Sequence, residues 1–331
     1  MVSEHRPQLA ATVVICTYNR PRMLEMAVRS CLANATRKSL GFEIVIADNS
    51  RDGHAVPLVE SLKGEAIAVR RVPASPPNIS IARNAGLRAA RAGLVAFMDD
   101  DLELEPGWLD ALVETLESAK ADAAVGPVRA KFAAGPPAWD RHGLRFERVL
   151  PFASGTPIPV MGPGRPAGFA ISTASSIWRV ATCFTDPEPF DRDFGVSGGE
   201  DLDLFMRLER RGRRIVWCAE AGVRETIPAD RTTFWNQVMR GFSGAQAYAA
   251  ATIKNSDGSI LRGLDIMARG AAQSVAYALL ALPLAVLAPA SPAARERLVQ
   301  TVLKLAAGLG KVLWWRKLGY YHLEKPQASA A

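Results

Sequence analysis

Residues 12–16, Thr-Val-Val-Ile-Cys, form a short apolar run rich in β-branched side chains; a polar turn follows, and from 21 to 33 the apolar positions recur at helical spacing. The unit reads strand, loop, helix. It recurs as residues 42–47 ending in Asp48-Asn49-Ser50, as a run at 67–72, and as a helix over 79–92 leading into the run 94–98. Strands that are apolar along their whole length and alternate with helices predict a mostly parallel sheet covered on both faces. Ligands of such sheets bind beyond the strands' carboxyl ends, which directs attention to residues 17–20, 48–50 and 99–101.

Between 128 and 166 the pattern breaks into Pro- and Gly-rich sequence, too long for an ordinary connection, and reads as a functional loop region. A strand at 171–178 follows, then a helix opening at Gly198-Gly199-Glu200-Asp201, a strand at 214–218 and a helix over about 232–250. The last region has a different character. Residues 271–289 carry no charge and would span about 28 Å as a helix, just enough to cross a hydrocarbon core, although Gln273, Ser274 and Pro283 weaken that reading. The next segment sets Leu298, Val302, Leu305, Leu309 and Val312 on one face and Gln300, Lys304 and Lys311 on another, an interfacial amphipathic pattern. A single span would leave Arg295 and Arg297 outside, against the positive-inside bias. A re-entrant hairpin or a surface-lying pair fits better, with Trp314, Trp315, Arg316 and Lys317 as headgroup anchors; the competing reading is a helical pair packed on the rest of the protein.

Charge sharpens this division. The chain of 331 residues has a formal charge of +7, and nine basic against three acidic residues in 261–331 supply +6 of it. A nucleic-acid module would spread its charge over a folded face, whereas this charge sits in an Ala- and Leu-rich tail, so a membrane surface is expected and nucleic acid is not. The four cysteines form no CxxC pair, which argues against a zinc ribbon or a disulfide framework and fits a reducing cytosol. Residues 1–9 carry charge and a proline where an export signal would need an apolar run.

Two acidic clusters carry the candidate chemistry. Asp99-Asp100-Asp101 stands where a buried strand leaves the sheet, costly unless something cationic joins it; carboxylate oxygens suit Mg²⁺ or Mn²⁺, and such ions bring in substrate phosphates. A solvated acidic turn is the alternative. On the helix after Gly199, residues Asp201, Leu204, Phe205 and Leu208 fall on one stripe, so Asp201 faces inward, a good general-base candidate. Glu200 is turned about 100° from it and should do different work. Asp203, four residues before Arg207, reads as a surface ion pair.

The combination VVICTYNRP, IVIADNS, NISIARNAGL, FMDDD and SGGEDLDLFMRL resembles the family 2 glycosyltransferases across roughly residues 10–250. Within that family, PNISIARN, VGPVRAKF and SGGED are most similar to the succinoglycan β-1,6-glucosyltransferase type of exopolysaccharide enzyme. The resemblance implies an α/β fold of the GT-A (nucleotide-diphospho-sugar transferase) kind over residues 1–258 with a mostly parallel central sheet, and the apolar, basic tail read above adds a helical, membrane-associated region over 259–331. It further implies inverting transfer from a UDP-sugar, with Mg²⁺ or Mn²⁺ as cofactor. Thr17, Tyr18, Arg20 and Asp48 match the residues that hold the nucleoside, and Arg83 and Asn84 the pair beside base and phosphates. Asp99 matches the contact to ribose or metal, with Asp100 beside it; Asp101 matches the metal ligand and Asp201 the catalytic base, with Glu200 its neighbour.

Departures from the family pattern are also visible. Many members carry a histidine metal ligand some twenty-odd residues after the base, where this chain has Val223-Arg224-Glu225; Glu225 could stand in as an oxygen ligand. Ser175 stands near a position that often holds an asparagine. Gln237-Val238-Met239-Arg240-Gly241 is similar to the QxxRW element of processive synthases with Gly in place of Trp, which points to one sugar per encounter; Arg240 is a diphosphate-contact candidate and Arg231 a weaker one. Trp139 could stack on a sugar, while Trp178 reads as core. The expected activity is addition of one sugar, by resemblance glucose, to a lipid-linked oligosaccharide at the cytoplasmic face of the inner membrane. A sugar nucleotidyltransferase is disfavoured because Thr17–Arg20 is no Gly-rich basic phosphate loop. A non-catalytic nucleotide-sugar-binding subunit of an assembly complex is disfavoured by the intact acids.

Overall fold

The computed structural model describes residues 9–162, 164–166 and 168–316. Strands β1 (Ala11–Thr17), β2 (Phe42–Asp48), β3 (Val69–Pro73), β4 (Leu94–Asp99), β6 (Ala123–Val125), β8 (Ser175–Arg179) and β9 (Ile215–Trp217) form a seven-stranded sheet in the order β3-β2-β1-β4-β8-β6-β9. A three-stranded sheet, β5-β10-β7, is made of β5 (Leu102–Leu104), β10 (Val223–Ile227) and β7 (Val128–Phe132). The helices are α1 (Pro21–Asn34), α2 (Val56–Ser61), α3 (Ile79–Ala89), α4 (Trp108–Ser118), α5 (Val180–Cys183), α6 (Glu200–Arg210), α7 (Phe234–Lys254), α8 (Ile260–Leu287) and α9 (Pro292–Val312).

The large sheet is mostly parallel, as the apolar runs predict. The exception is β8, which runs antiparallel to both β4 and β6. Alternation along β1 sends Val13 and Ile15 to a core shared with α1 and α4, and Val14 and Cys16 to a second core shared with α3 and α6. Burial in that second core pushes the Cys16 thiol up to about 12, so it stays protonated. At Gly86 of α3 a Cβ would overlap Val14 Cγ1, so only glycine lets this helix lie against β1.

The 128–166 stretch is not all loop: it contributes β7 and a 3₁₀ turn at Leu144–Phe146. The small sheet adds β10 beside β5, with Glu225 opposite Leu102 and the Thr226 N–H donating to the Asp101 carbonyl at 2.9 Å. This pairing draws residues 101 and 225 together.

α9 lies along α7 in the same direction, because Gly241 approaches Leu303, Gly310 approaches Phe242, and Gln246 Nε2 donates to the Leu313 carbonyl at 2.7 Å. α8 returns antiparallel against α9, with Gly270 and Ser274 against Gly308; a Cβ on Gly308 would come within 2.5 Å of Ser274 Oγ. The α8–α9 turn therefore lies toward the N-terminal end of α7. The proposed anchors sit at the other end. Trp314 packs on Ala249, Ile253 and Ile266, Trp315 and Arg316 are exposed beside it, and Lys317 lies outside the described residues.

Candidate active site

At the carboxyl edge of the large sheet, one guanidinium gathers three acids. Arg83, on α3 and 4% exposed, has Nη1 2.5 Å from Glu200 Oε1 and 2.8 Å from Asp201 Oδ1, and Nη2 3.7 Å from Asp99 Oδ1. The two acidic clusters of the sequence thus meet at one arginine. The start of α6 is set by Gly199, whose φ of +102° is a left-handed conformation that glycine adopts without strain. The Thr173 backbone N–H donates to Asp201 Oδ2 at 3.0 Å and its hydroxyl to Oδ1 at 3.1 Å, fixing the carboxylate in the pocket wall. Glu200 points to the same arginine instead of away from it. Its carboxyl is pushed up to about 7 by burial, which outweighs the attraction of Arg83.

Asp100 is buried, accepting from Thr17 Oγ1 at 2.8 Å and Arg20 Nη1 at 3.2 Å. Asp99 is the most open of the three, with a side chain 40% exposed. Asp101 Oδ2 lies 3.5 Å from both Arg20 Nη1 and Arg231 Nη1, and burial, followed by the charges of Glu225, Asp100 and Asp99, pushes its carboxyl up to about 7. Burial acts on Glu225 too. There Arg148, Arg231 and Arg240 together outweigh it and hold Glu225 below the usual carboxylate range.

The expected ligand set of Asp99, Asp101 and Glu225 is not assembled. Among the described residues no three His, Cys, Asp or Glu side chains converge as a ready metal cage, because Asp99 faces Arg83 while both oxygens of Glu225 are engaged, Oε2 by Arg148 Nη2 at 2.9 Å and Oε1 by Arg231 Nη1 at 2.7 Å. The donor chemistry still suits a hard divalent cation: Asp99 is accessible, and Asp101 is a crowded carboxyl whose surplus charge such an ion would relieve. Asp99 and Asp101 would hold it.

Several expected contacts have other work. Asp48 is fully buried; Oδ1 accepts from the Ser50 N–H (3.1 Å) and Oγ (2.6 Å), Oδ2 from Arg71 Nε (2.7 Å) and the Ala55 N–H (3.3 Å), and His54 Nδ1 lies 3.1 Å from Oδ1. These bonds overcome burial and hold its carboxyl well below the usual range. It ties down the loop after β2. Asn84 is equally committed, donating to the Phe190 carbonyl (2.8 Å) and accepting from the Phe190 N–H (3.0 Å). Ser175 accepts from Trp108 Nε1 at 2.8 Å and donates to the Ala221 carbonyl at 3.0 Å inside the core. Asp203 pairs with Arg207 at 3.0 Å, but it is buried and also meets Lys254 and Asn255, so the pair is not a surface one.

Trp178 is core, while Trp139 donates to the Thr232 carbonyl at 3.2 Å beside the pocket. Tyr18 is half-buried just past β1, and Arg240 is half-buried on α7 within electrostatic reach of Glu225. The sequence reading missed Thr173, Arg148 and His54, whose Nε2 lies 3.2 Å from Thr17 Oγ1. No local motif marks them; only the fold brings them in.

A mostly parallel sheet with one antiparallel strand and acids gathered at its carboxyl edge fits the GT-A architecture. Consistent with this, the solved UDP complex of Staphylococcus aureus TarS residues 1–349 superposes with a TM-score of 0.51 over 89% of each chain at 16% identity. The chain belongs to glycosyl transferase family 2, an enzyme family of sugar transfer: the family's pattern matches residues 12–172, and that of glycosyl transferase family group 2 matches 94–315. It is 31% identical over 245 residues to the succinoglycan biosynthesis protein ExoM of Rhizobium meliloti (strain 1021), covering 74% of this chain and 75% of that one. It is also 30% identical over 117 residues, 35% of each chain, to the poly(ribitol-phosphate) beta-N-acetylglucosaminyltransferase TarP of S. aureus (strain N315).

Proposed function

We propose that this glycosyltransferase moves one sugar, glucose by its likeness to the exopolysaccharide enzymes, from a UDP donor to a lipid-linked oligosaccharide, with inversion at the anomeric carbon. The observation that carries this reading is the sharing of Arg83 by Asp99 and Asp201, which brings the candidate donor-handling acid and the candidate base to one guanidinium. The UDP bound by the TarS fragment of like fold supports the choice of nucleotide.

The acceptor hydroxyl would attack the anomeric carbon from the face opposite the diphosphate. The new C–O bond forms as the old one breaks, its electron pair leaving on the β-phosphate, and Asp201 takes the hydroxyl proton. Thr173 would hold Asp201 in line for this, and Arg83 and Arg20 would add positive charge beside the donor's phosphates. A divalent ion on Asp99 and Asp101 would supply Lewis-acid neutralisation of the departing diphosphate.

The acceptor's lipid is supported by α8. Its apolar 18-residue window has a mean hydropathy of 1.7 and is only 11% buried, leaving Val275, Leu279, Leu282 and Val286 bare. Close Gly–Gly packing of α8 on α9 is a mode that suits helices in lipid. We read residues 259–316 as a hairpin resting in the cytoplasmic leaflet by the uncharged half of α8. That half points toward the N-terminal end of α7, near which Arg231 reaches Asp101, so the acceptor's sugar would meet the pocket from the bilayer side.

The test is a donor screen. UDP-glucose, UDP-galactose and UDP-N-acetylglucosamine are offered with membrane lipid extract and Mn²⁺. One donor should give a labelled glycolipid with stoichiometric UDP release; no transfer from any of them would sink the reading.

A further inference from the structure

One of the two acids that would hold a divalent ion, Asp101, is already bridged to Glu225 by a guanidinium. Asp101 and Glu225 are forced together by the β5–β10 pairing, with side chains only 9% and 7% exposed. Two buried carboxylates at such close quarters repel strongly unless a cation intervenes. Arg231 is that cation: Nη1 sits 2.7 Å from Glu225 Oε1 and 3.5 Å from Asp101 Oδ2.

The backbone of Arg231 is pinned, because Gln237 Nε2 donates to its carbonyl at 2.6 Å and Gln237 is itself buried and held by Arg145 Nε at 3.2 Å. The side chain is 24% exposed and is carried on the turn Ala229–Thr232. Arg148 stays on the other oxygen of Glu225 and Arg20 Nη1 stays 3.5 Å from Asp101 Oδ2, so withdrawal of Arg231 frees one oxygen of Glu225 and takes from Asp101 one of its two arginines, leaving neither acid unpaired.

We propose that Arg231 is a resident counter-cation of the Asp101–Glu225 pair which a divalent ion must displace, and that the diphosphate of a nucleotide draws the guanidinium away. The proposal rests on the sugar-nucleotide reading above. A guanidinium matches phosphate oxygens in a bidentate fork, so nucleotide and metal bind together, each removing the obstacle to the other. By linkage the effect is reciprocal. The enzyme without nucleotide is then a poor metal binder despite its acids.

The test measures Mn²⁺ binding to the full-length protein by the electron paramagnetic resonance signal of free Mn²⁺, with and without UDP. In the wild type, UDP should tighten Mn²⁺ about tenfold or more. Arg231→Gln should bind Mn²⁺ about tenfold tighter than the wild type in the absence of UDP and show little further gain when UDP is added. Arg231→Lys, which keeps the charge without the fork, should fall between the two and serves if the glutamine variant does not fold. Wild-type Mn²⁺ affinity in both variants, or weaker binding in either, overturns the proposal. Failure of the sugar-transfer reading would register elsewhere, as wild-type enzyme that turns over no UDP-sugar, and would leave this comparison readable.

Discussion

Arg83 Nη1 lies 2.8 Å from Asp201 Oδ1, an ion pair between α3 and the start of α6 that is almost wholly buried on the arginine side. Through its other nitrogen the same guanidinium reaches Asp99. Charge arriving at the donor acids is therefore felt at the candidate base. Replacing Arg83 by Gln strips the buried Glu200 of its counter-charge and frees Asp201 from its partner. We expect a loss of stability of about 3 kcal/mol, typical of breaking a buried pair, seen as a lower Tm, together with UDP-sugar turnover reduced by at least about a hundredfold.

Thr173 tests positioning apart from chemistry. Thr173→Val keeps the backbone bond to Asp201 and deletes only the hydroxyl bond of 3.1 Å. kcat should fall about tenfold with KM for the donor unchanged, and Thr173→Ser should restore most of it. A change in KM alone would mean that Thr173 contacts substrate.

Asp101 and Glu200 make a pH prediction. Both carboxyls are raised to about 7 in the folded protein, so between the ordinary carboxylate value and about 7 the native state binds more protons than the unfolded chain. The stability they contribute is therefore present at low pH and is lost as pH rises through about 7. Metal-free protein should show a lower Tm at about pH 8 than at about pH 5.5, and Asp101→Asn and Glu200→Gln should each flatten that slope. Mn²⁺ with UDP should raise Tm more at about pH 8, because the ion competes with the proton on Asp101.

The hairpin makes a prediction about place. Val286→Glu combined with Leu279→Glu should abolish co-flotation with anionic vesicles, because each charge costs several kcal/mol in the acyl boundary. Trp315→Glu, at the far end of α9, should leave flotation intact. Loss of flotation in the Trp315 variant alone would reverse the orientation.

Much of the sheet was legible because β1, β2 and β4 are continuous apolar runs closed by polar turns, a signal that burial on both faces writes directly into sequence. The direction of β8 was not, since hydrophobicity is the same for parallel and antiparallel neighbours. The β5-β10-β7 sheet was hidden for another reason: its strands are three to five residues long and mix charged with apolar positions, as in Val-Arg-Glu-Thr-Ile of β10. Asp48 and Asp99 look alike in sequence, each closing an apolar strand. Only the surroundings separate them: Asp48 is encircled by Ser50, Ala55 and Arg71, and Asp99 opens on the pocket. Asp201 could be placed by helical periodicity, but that Glu200 would share its arginine could not, because α3 lies far away in the chain.

The central claim, that Asp201 is the base in a pocket whose donor acids lie across Arg83, is tested most directly by Asp201→Asn assayed for binding and transfer on the same preparation. The account predicts UDP and Mn²⁺ affinities within about threefold of wild type and sugar transfer reduced by a factor of about 10² to 10⁴. Transfer at the wild-type rate would contradict it.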